Sequence, residues 1–118
     1  MKLKRVYSNI IPFKGYIAMT VFPWVFIRES AKKRYTPTVN RHETTHGYQQ
    51  VELLWFLFFI LYGLEWFIKL FFCKFNTSRA YHSISFEQEA NVNQGNVEYN
   101  NSRNLYAWVK YVFKLTDK

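Results

Sequence analysis

The chain has 118 residues, which is enough for one domain and one modest core but leaves no room for a separate regulatory module. Its single cysteine excludes both an internal disulfide and a cysteine-based zinc site. The formal net charge of +8 does not indicate nucleic acid as a partner, because the basic residues are dispersed and the aromatic residues cluster in an apolar run.

The first residues predict a protein that begins in the cytoplasm. Residues 1–5 are basic, as in a signal peptide, but the apolar segment that should follow is missing, since residues 6–9 read Val-Tyr-Ser-Asn. We therefore expect no secretory signal peptide.

The next part of the chain is rich in β-branched and aromatic residues and predicts a short hairpin. Residues 16–22 and 24–28 form two such runs, and Pro23 separates them. They predict two short strands, or one strand bent at Pro23. A proline is tolerated in a sheet only at an edge or a bulge. An exposed edge could hold an extended peptide by main-chain pairing, or the hairpin could simply cover the following helix.

A helix is predicted from Pro37 through Gln50. Thr36 is a favourable N-cap, and proline suits the first helical position because its missing N–H would have no partner there. The helix contains the pattern His-Glu-x-x-His, in which His42 and His46 are four residues apart and share one face. Both imidazoles can therefore bind a single ion.

This pattern predicts a catalytic zinc site. Such a site uses three protein ligands and leaves the fourth position to a water molecule, whose pKa falls to about 7. His42 and His46 supply two ligands, and Glu43 is placed to act as the general base that activates the zinc-bound water. The alternative is an ordinary polar face on a basic helix. However, the chain has only 3 histidines, and two of them flank this glutamate.

Residues 51–75 form an aromatic-rich segment that predicts a second, largely apolar helix. Leu53 to Leu64 is a run of 12 residues without a charge, and Glu65 with Lys69 at i+4 predicts an ion pair within the helix. A bilayer span needs about 20 apolar residues, whereas about 10 to 14 favour a buried or interfacial segment. The segment therefore predicts association with the inner membrane or its surface, or a soluble domain or homodimer that buries this face.

A third metal ligand is expected from residues 83–91. Ser85 and Gln88 have the spacing of a capping box, so a helix should start here and place Glu87 in its first turn. The positive end of the helix dipole helps to keep a carboxylate there ionised. Glu87 and Glu89 are two residues apart and face different ways, so only one of them should reach the ion.

The last element is predicted to be a helix over residues 103–115. Apolar side chains recur there at spacings of three and four residues and form one stripe, which we expect to pack on the active-site helix. The stripe consists of Leu105, Trp108, Val109, Val112 and Phe113.

A HExxH helix followed by a second helix with Glu-x-x-Ala-Asp is similar to the gluzincin clan of zinc metallopeptidases, including the membrane-associated prenyl-protein endopeptidases. The matching stretch is Phe86-Glu87-Gln88-Glu89-Ala90-Asn91. The resemblance implies that Glu87 is the third ligand. It also implies that Asn91 takes the place of the aspartate that orients a ligand histidine, although an amide replaces the usual carboxylate here.

From about Gly15 to its C-terminus the chain also resembles a group of small bacterial proteins, typical of Bacteroidetes, that join HExxH to an aromatic-rich stretch and a Phe-Glu-x-Glu-Ala segment. The implied fold is α+β, mostly helical, and minimal zincin-like within a single domain, 1–118. Its parts are N-terminal strands in 1–36, the active-site and aromatic helices in 37–72, the third-ligand helix in 83–99 and the C-terminal helix in 103–115.

The implied activity is that of a zinc metalloendopeptidase acting on a peptide or protein substrate. The side chains that could stabilise the oxyanion lie just before the ligand helix, or beyond it in the case of Tyr99: Arg79, Tyr81, His82 and Tyr99. The competing hypothesis is a small membrane-associated or interaction protein whose metal site is structural or vestigial.

Overall fold

The computed structural model of the chain describes residues 2–10, 12 and 15–116. It shows a small sheet near the N-terminus followed by helices, which confirms the predicted α+β, mostly helical class. Residues 1, 11, 13, 14, 117 and 118 belong to the predicted domain but lie outside the described residues.

The sheet has three strands, β1 (Lys4–Ser8), β2 (Ala18–Val21) and β3 (Trp24–Arg28), in the order β1-β3-β2. The predicted hairpin is confirmed, because β2 and β3 are antiparallel and the Phe22-Pro23 peptide lies in the turn between them. β1 pairs with β3 in parallel and was not predicted. Its five residues are mostly exposed, so it lacks the alternation of apolar and polar residues that marks a half-buried strand.

The central strand supplies the core of the sheet. Val25 and Ile27 are fully buried and pack with Leu3, as the period of two in a strand requires. After β3, a 3-10 helix (Glu29–Arg34) leads to the first α-helix. The edge strand β2 lies beside that helix, because its Thr20 bonds to the Glu43 and Gln50 side chains.

Helix α1 runs from Pro37 to Glu52 and carries both histidines of the motif. Its start is as predicted, since the Thr36 hydroxyl accepts a hydrogen bond from the Val39 N–H at 3.3 Å. A short turn then leads to α2 (Phe56–Phe72), the predicted aromatic helix. In the described part of the chain no single helix is long and apolar enough to cross a membrane, and α1 with α2 meets that test only as a pair bent by 111°.

The charged residues of α2 point into the protein. Lys69 lies 2.7 Å from Glu65, which confirms the predicted ion pair. The Lys69 ammonium is buried and also donates to the backbone carbonyl of Ser83. Both charges are therefore satisfied inside the fold.

Two short helices follow, α3 (Thr77–Ser83) and α4 (Ser85–Asn93), and α4 carries the predicted third ligand. The predicted capping box at its start is wrong. The Glu65 carboxylate accepts hydrogen bonds from the Ser85 N–H at 2.7 Å and hydroxyl at 2.6 Å, while the Gln88 amide donates to the Lys114 carbonyl at 2.7 Å. An ionised acceptor from another helix replaces the local cap because charged hydrogen bonds are the stronger ones.

The predicted helix over 103–115 is also wrong. The structure has a four-residue helix, α5 (Tyr99–Ser102), and then a 3-10 helix (Ala107–Tyr111). Tyr106 breaks the predicted helix with a left-handed φ of 57°. The Lys114 carbonyl accepts from the buried side chains of Lys69 and Gln88, and the Tyr111 carbonyl accepts from Lys69 as well as from the Lys114 N–H.

The C-terminal segment packs on α4 instead of α1. The Trp108 ring lies 4.7 Å from that of Phe86, whereas Leu105 and Phe113, which were expected in the packed stripe, are exposed. Phe86 joins Leu53, Phe58 and Ile84 in a buried cluster. This cluster holds α2 and α4 together behind the motif residues of α1.

Candidate metal centre

The two motif histidines and Glu87 meet at one point. Helix α1 places His42 and His46 one turn apart, with their Nε2 atoms 3.2 Å from each other. From α4, the Glu87 oxygens Oε1 and Oε2 lie 3.1 Å from Nε2 of His42 and of His46, respectively. One ligand atom from each residue fits within 4.8 Å of the others, so the group could hold a metal ion.

A buried amide orients the ring of His46. The Gln49 Oε1 atom lies 2.8 Å from His46 Nδ1, and the Gln49 NH₂ group donates to the Glu89 carboxylate at 2.9 Å and the Phe86 carbonyl at 3.1 Å. Because both acceptors hold the NH₂ group, the amide oxygen must face the imidazole. His46 Nδ1 therefore carries a proton, and Nε2 is directed at the metal position.

A second amide performs this task for His42. Its Nδ1 atom lies 2.9 Å from Gln94 Oε1. The Arg41 guanidinium holds this segment in place by donating to the Gln94 backbone carbonyl at 2.7 Å. The prediction gave this role to Asn91, but the structure places Gln94 there. Asn91 borders the open side of the site, and no hydrogen bond joins it to either histidine within the part of the chain that the structure describes.

Glu89 points away from the metal position, as expected for a residue two places from Glu87. Its buried carboxylate accepts from the Arg103 guanidinium and from the Tyr99 hydroxyl at 2.7 Å, and Arg103 also pairs with Glu52. Burial alone would raise the pKa of Glu89, but the hydrogen bonds from Arg103, Gln49 and Tyr99 keep it below its usual value.

Glu43 lies beside the three ligand residues without joining them. Its Oε1 atom accepts a hydrogen bond from the Thr20 hydroxyl of β2 at 2.8 Å, and its Oε2 atom lies 4.0 Å from His42 Nε2. Burial raises the pKa of this carboxyl, although the nearby His46 and His42 oppose the change. The site thus contains a desolvated carboxylate with one oxygen held and the other facing the histidines.

His46 and Glu87 form a buried ion pair. Burial alone would lower the pKa of His46, but the Glu87 carboxylate raises it to about 9. Burial would likewise raise the pKa of Glu87, but His46 and His42 hold it well below its usual value. Each partner therefore stabilises the charged form of the other.

Two tyrosines complete the buried part of the site. The Tyr62 hydroxyl of α2 donates to Glu87 Oε2 at 2.7 Å. Tyr81 of α3 lines both cavities that reach the ligand residues, and burial together with the Glu87 charge raises its pKa above the ordinary value. Both hydroxyls therefore remain protonated donors near neutral pH.

The other proposed oxyanion residues are placed differently. His82 lines the cleft of 790 Å³ that reaches His42, and its ring contacts that of Tyr81 with centroids 5.1 Å apart. Arg79 donates to the Thr116 carbonyl at 2.6 Å, and Tyr99 donates to Glu89. Of the four candidates, Tyr81 is the one that lines both cavities next to the ligand group.

Two neighbouring depressions reach the ligand group. A cavity of 380 Å³ is lined mainly by apolar side chains and reaches Glu43, His46 and Glu87. A wider cleft of 790 Å³ shares Glu43 and Tyr81 with this cavity and reaches His42. Both are bordered by the start of β2, so an extended molecule along this strand could pass from one depression to the other.

Sequence reasoning missed four residues of the site: Thr20, Gln49, Tyr62 and Gln94. Two of them had a signal in their spacing, since Gln49 is three residues after His46 and Gln94 is seven after Glu87, and each therefore shares a helix face with a ligand. Thr20 and Tyr62 reach the site from a strand and from another helix, and no local pattern indicates such contacts.

No family model, curated protein or solved structure matches this chain.

Proposed function

We propose that the chain is a zinc-dependent metalloendopeptidase with a minimal gluzincin-like site. The observation that supports this most directly is the meeting of His42, His46 and Glu87, with the Glu43 carboxylate beside them. Two imidazole nitrogens and one carboxylate form a ligand set of catalytic zinc sites, which leave a further position open.

The distances between the ligand atoms agree with this metal. Two ligands bound at about 2.05 Å and separated by the tetrahedral angle would lie about 3.3 Å apart. The two histidine Nε2 atoms are 3.2 Å apart, close to this spacing, and each lies 3.1 Å from a different oxygen of Glu87. The amide oxygens of Gln49 and Gln94 at the Nδ1 atoms are the outer partners that ligating imidazoles require.

Glu43 is assigned as the general base. When bound, zinc would supply a Lewis acid that polarises a carbonyl and lowers the pKa of water. Glu43 would take a proton from the attacking water through Oε2 and deliver it to the leaving amine, while the Thr20 hydroxyl holds Oε1. The raised pKa of this buried carboxyl suits a group that must both accept and return a proton.

The free edge of β2 is proposed to bind the substrate backbone. The Ile17 carbonyl bonds to β3 through the Arg28 N–H at 2.9 Å, so strand alternation turns the N–H and C=O groups of Ala18 and Thr20 away from β3. Gln50 already occupies part of this edge, because its amide donates to the Thr20 carbonyl at 2.7 Å and accepts from the Phe22 N–H at 2.7 Å. The Gln50 amide therefore pairs with this edge as a peptide group of a neighbouring strand would.

A peptide could therefore continue this edge from the Gln50 amide across Ala18 and over the metal position. The 380 Å³ cavity, which is lined by Phe58, Phe59 and Trp66, would accept a large apolar side chain. Tyr81 would donate to the oxyanion from the opposite side. The proposed substrate is an extended peptide with an apolar residue next to the scissile bond.

Substitution of Glu43 tests the proposal. Purified Glu43→Gln protein should bind one zinc per chain and lose hydrolysis of casein or of an unstructured peptide library, because the ligands remain and the base is removed. Glu87→Gln should lose both zinc and hydrolysis. Glu98→Gln, which makes the same chemical change at an exposed acid outside the site, is the matched control and should change neither.

Metal analysis and turnover together discriminate between the alternatives. Loss of zinc along with activity in Glu43→Gln would contradict the role of the base. Stoichiometric zinc in the unmodified protein without turnover of any peptide would instead favour a structural metal in an interaction protein.

A further inference from the structure

The outward surface of α2 is apolar over its whole length. Six of its side chains are more than half exposed, and we call these residues the outer face: Phe56, Ile60, Leu64, Phe67, Phe71 and Phe72. Successive aromatic rings contact each other along this surface, with 5.3 Å between the centroids of Phe67 and Phe71. A soluble domain rarely exposes so continuous an apolar surface without a partner.

The polarity of α2 is the reverse of that in an ordinary surface helix. Its charged residues, Glu65 and Lys69, point inward and bind to each other, to Ser85 and to the Ser83 carbonyl. The outer face itself contains no charged or hydrogen-bonding side chain. A surface helix normally turns its charges to water and its apolar residues to the core, so this surface is suited to an apolar medium.

The C-terminal segment extends the outer face and adds a basic rim. A groove of 460 Å³ between α2 and this segment is lined by Leu64 and by Phe113, whose side chain is 99% exposed. Lys110 and Lys114 flank Phe113 in the sequence, and Lys74 follows the end of α2; all three are exposed. The ammonium groups of Lys110 and Lys114 lie over the Tyr111 ring, 5.3 and 5.5 Å from its centroid, so these two cations are close together. We call Lys74, Lys110 and Lys114 the lysine rim.

We propose that the outer face of α2 and its lysine rim dock on an anionic lipid bilayer. In this arrangement α2, which is 17 residues or about 25 Å long, lies in the plane of the interface with its apolar side chains among the acyl chains. The lysine side chains reach the anionic headgroups.

Charge favours lipid over a second copy of the chain. In a two-fold dimer the same surface meets itself, which brings together two molecules that each have a formal net charge of +8. Among the described residues, the exposed acidic side chains are Glu29, which begins the 3-10 helix after β3, and Glu98, in the turn before α5. Neither complements the rim.

Docking would place the metal centre at the lipid surface. Phe59 and Gly63, at one margin of the outer face, also line the 380 Å³ cavity that reaches His46 and Glu87. An apolar side chain could then enter this cavity directly from the interface. Docking itself does not depend on the proposed peptidase activity.

Vesicle co-sedimentation of the full chain tests the apolar part of the surface. Ile60→Ser/Phe67→Ser/Phe71→Ser should weaken binding to vesicles of phosphatidylcholine and phosphatidylglycerol by at least about 100-fold, since three exposed apolar side chains lose their burial in lipid. Val92→Ser/Val97→Ser removes equally exposed apolar side chains elsewhere and should bind like the unmodified chain.

The basic rim predicts a dependence on lipid charge. Lys74→Gln/Lys110→Gln/Lys114→Gln should weaken binding to phosphatidylglycerol-containing vesicles by about fivefold per lysine and should not affect binding to phosphatidylcholine alone. Lys2→Gln/Lys4→Gln/Lys33→Gln removes the same charge from other exposed positions and should retain more of the binding.

The substituted side chains are exposed, so each variant should fold, and circular dichroism checks that it does. No binding of the folded, unmodified chain to either vesicle would overturn the proposal. So would a stable dimer, seen by sedimentation equilibrium, that the outer-face substitutions dissociate while vesicle binding is absent. Zinc content and peptide hydrolysis are measured separately, so failure of docking and failure of the peptidase assignment are distinguishable.

Discussion

Adjacent glutamines on α1 provide a direct test of how the site is organised. Gln49 and Gln50 are both buried, but Gln49 bonds to His46 Nδ1, whereas Gln50 bonds to the backbone of β2. Replacing each by Leu removes the same amide from a similar environment. The two variants should therefore lose similar stability but differ in zinc affinity.

The expected magnitudes follow from the contacts. Gln49→Leu leaves buried His46 Nδ1 without a partner, which costs about 1 to 3 kcal/mol, and removes one hydrogen bond of the Phe86 carbonyl, which is worth about 1 kcal/mol. Glu89 keeps its bonds to Arg103 and Tyr99, so the free energy of unfolding should fall by about 2 to 4 kcal/mol in total. Gln50→Leu leaves two backbone groups unpaired and should cost a similar amount.

Zinc affinity separates the two variants. Loss of the partner that orients a ligating histidine typically weakens metal binding by about 10 to 100-fold. We expect this loss in Gln49→Leu and not in Gln50→Leu. Urea unfolding in the presence of a chelator gives the stability of the metal-free protein, and competition with a chromophoric chelator gives the affinity. Equal loss of zinc affinity in both variants would refute the role assigned to Gln49.

The pKa shifts and the buried ion pairs lead to two more predictions. His46 has its pKa raised from 6.5 to about 9 in the metal-free protein, so zinc must displace its proton, and apparent affinity should fall about tenfold per pH unit as pH decreases from about 9 to 6.5. Isothermal calorimetry in buffers of different ionisation enthalpy should detect about one proton released per zinc near neutral pH, and binding without proton release would argue against the His46 and Glu87 ion pair. Arg103→Leu leaves the buried Glu52 and Glu89 carboxylates without a cation and should cost about 3 to 5 kcal/mol in urea unfolding at pH 7, whereas Arg34→Leu at an exposed position should cost little. Because Arg103 and its neighbours hold the pKa of Glu89 below 4.5, this stabilisation is present above pH 4.5 and is lost as pH falls through the folded pKa. The difference in unfolding free energy between Arg103→Leu and the unmodified chain should therefore shrink in acid, and an unchanged difference would contradict the assignment.

Local patterns predicted the elements on which the site depends. The start of α1 at Thr36 and Pro37 follows from capping chemistry that involves only neighbouring residues. The shared face of His42 and His46 follows from the helical period, and the ion pair of Glu65 with Lys69 follows from their i+4 spacing. These are short-range properties, so the amino-acid sequence contains all the information they need.

Long-range contacts decided where local prediction was wrong. The start of α4 is capped by Glu65 from another helix, and the C-terminal segment is held by buried side chains that bind its carbonyls. In both cases a distant charged or amide group satisfies the backbone better than the local pattern would.

By itself, the sequence determined that two imidazoles share a helix face with a carboxylate between them, and that a later helix carries Glu87. Only the tertiary structure decided which atoms surround them. Gln94 lies at His42 Nδ1 in place of Asn91, and Thr20 holds Glu43 from a strand. It also decided that α2 turns its charges inward and its apolar residues outward. Helical periodicity shows that two faces differ, but the packing of the remaining chain determines which of them is covered.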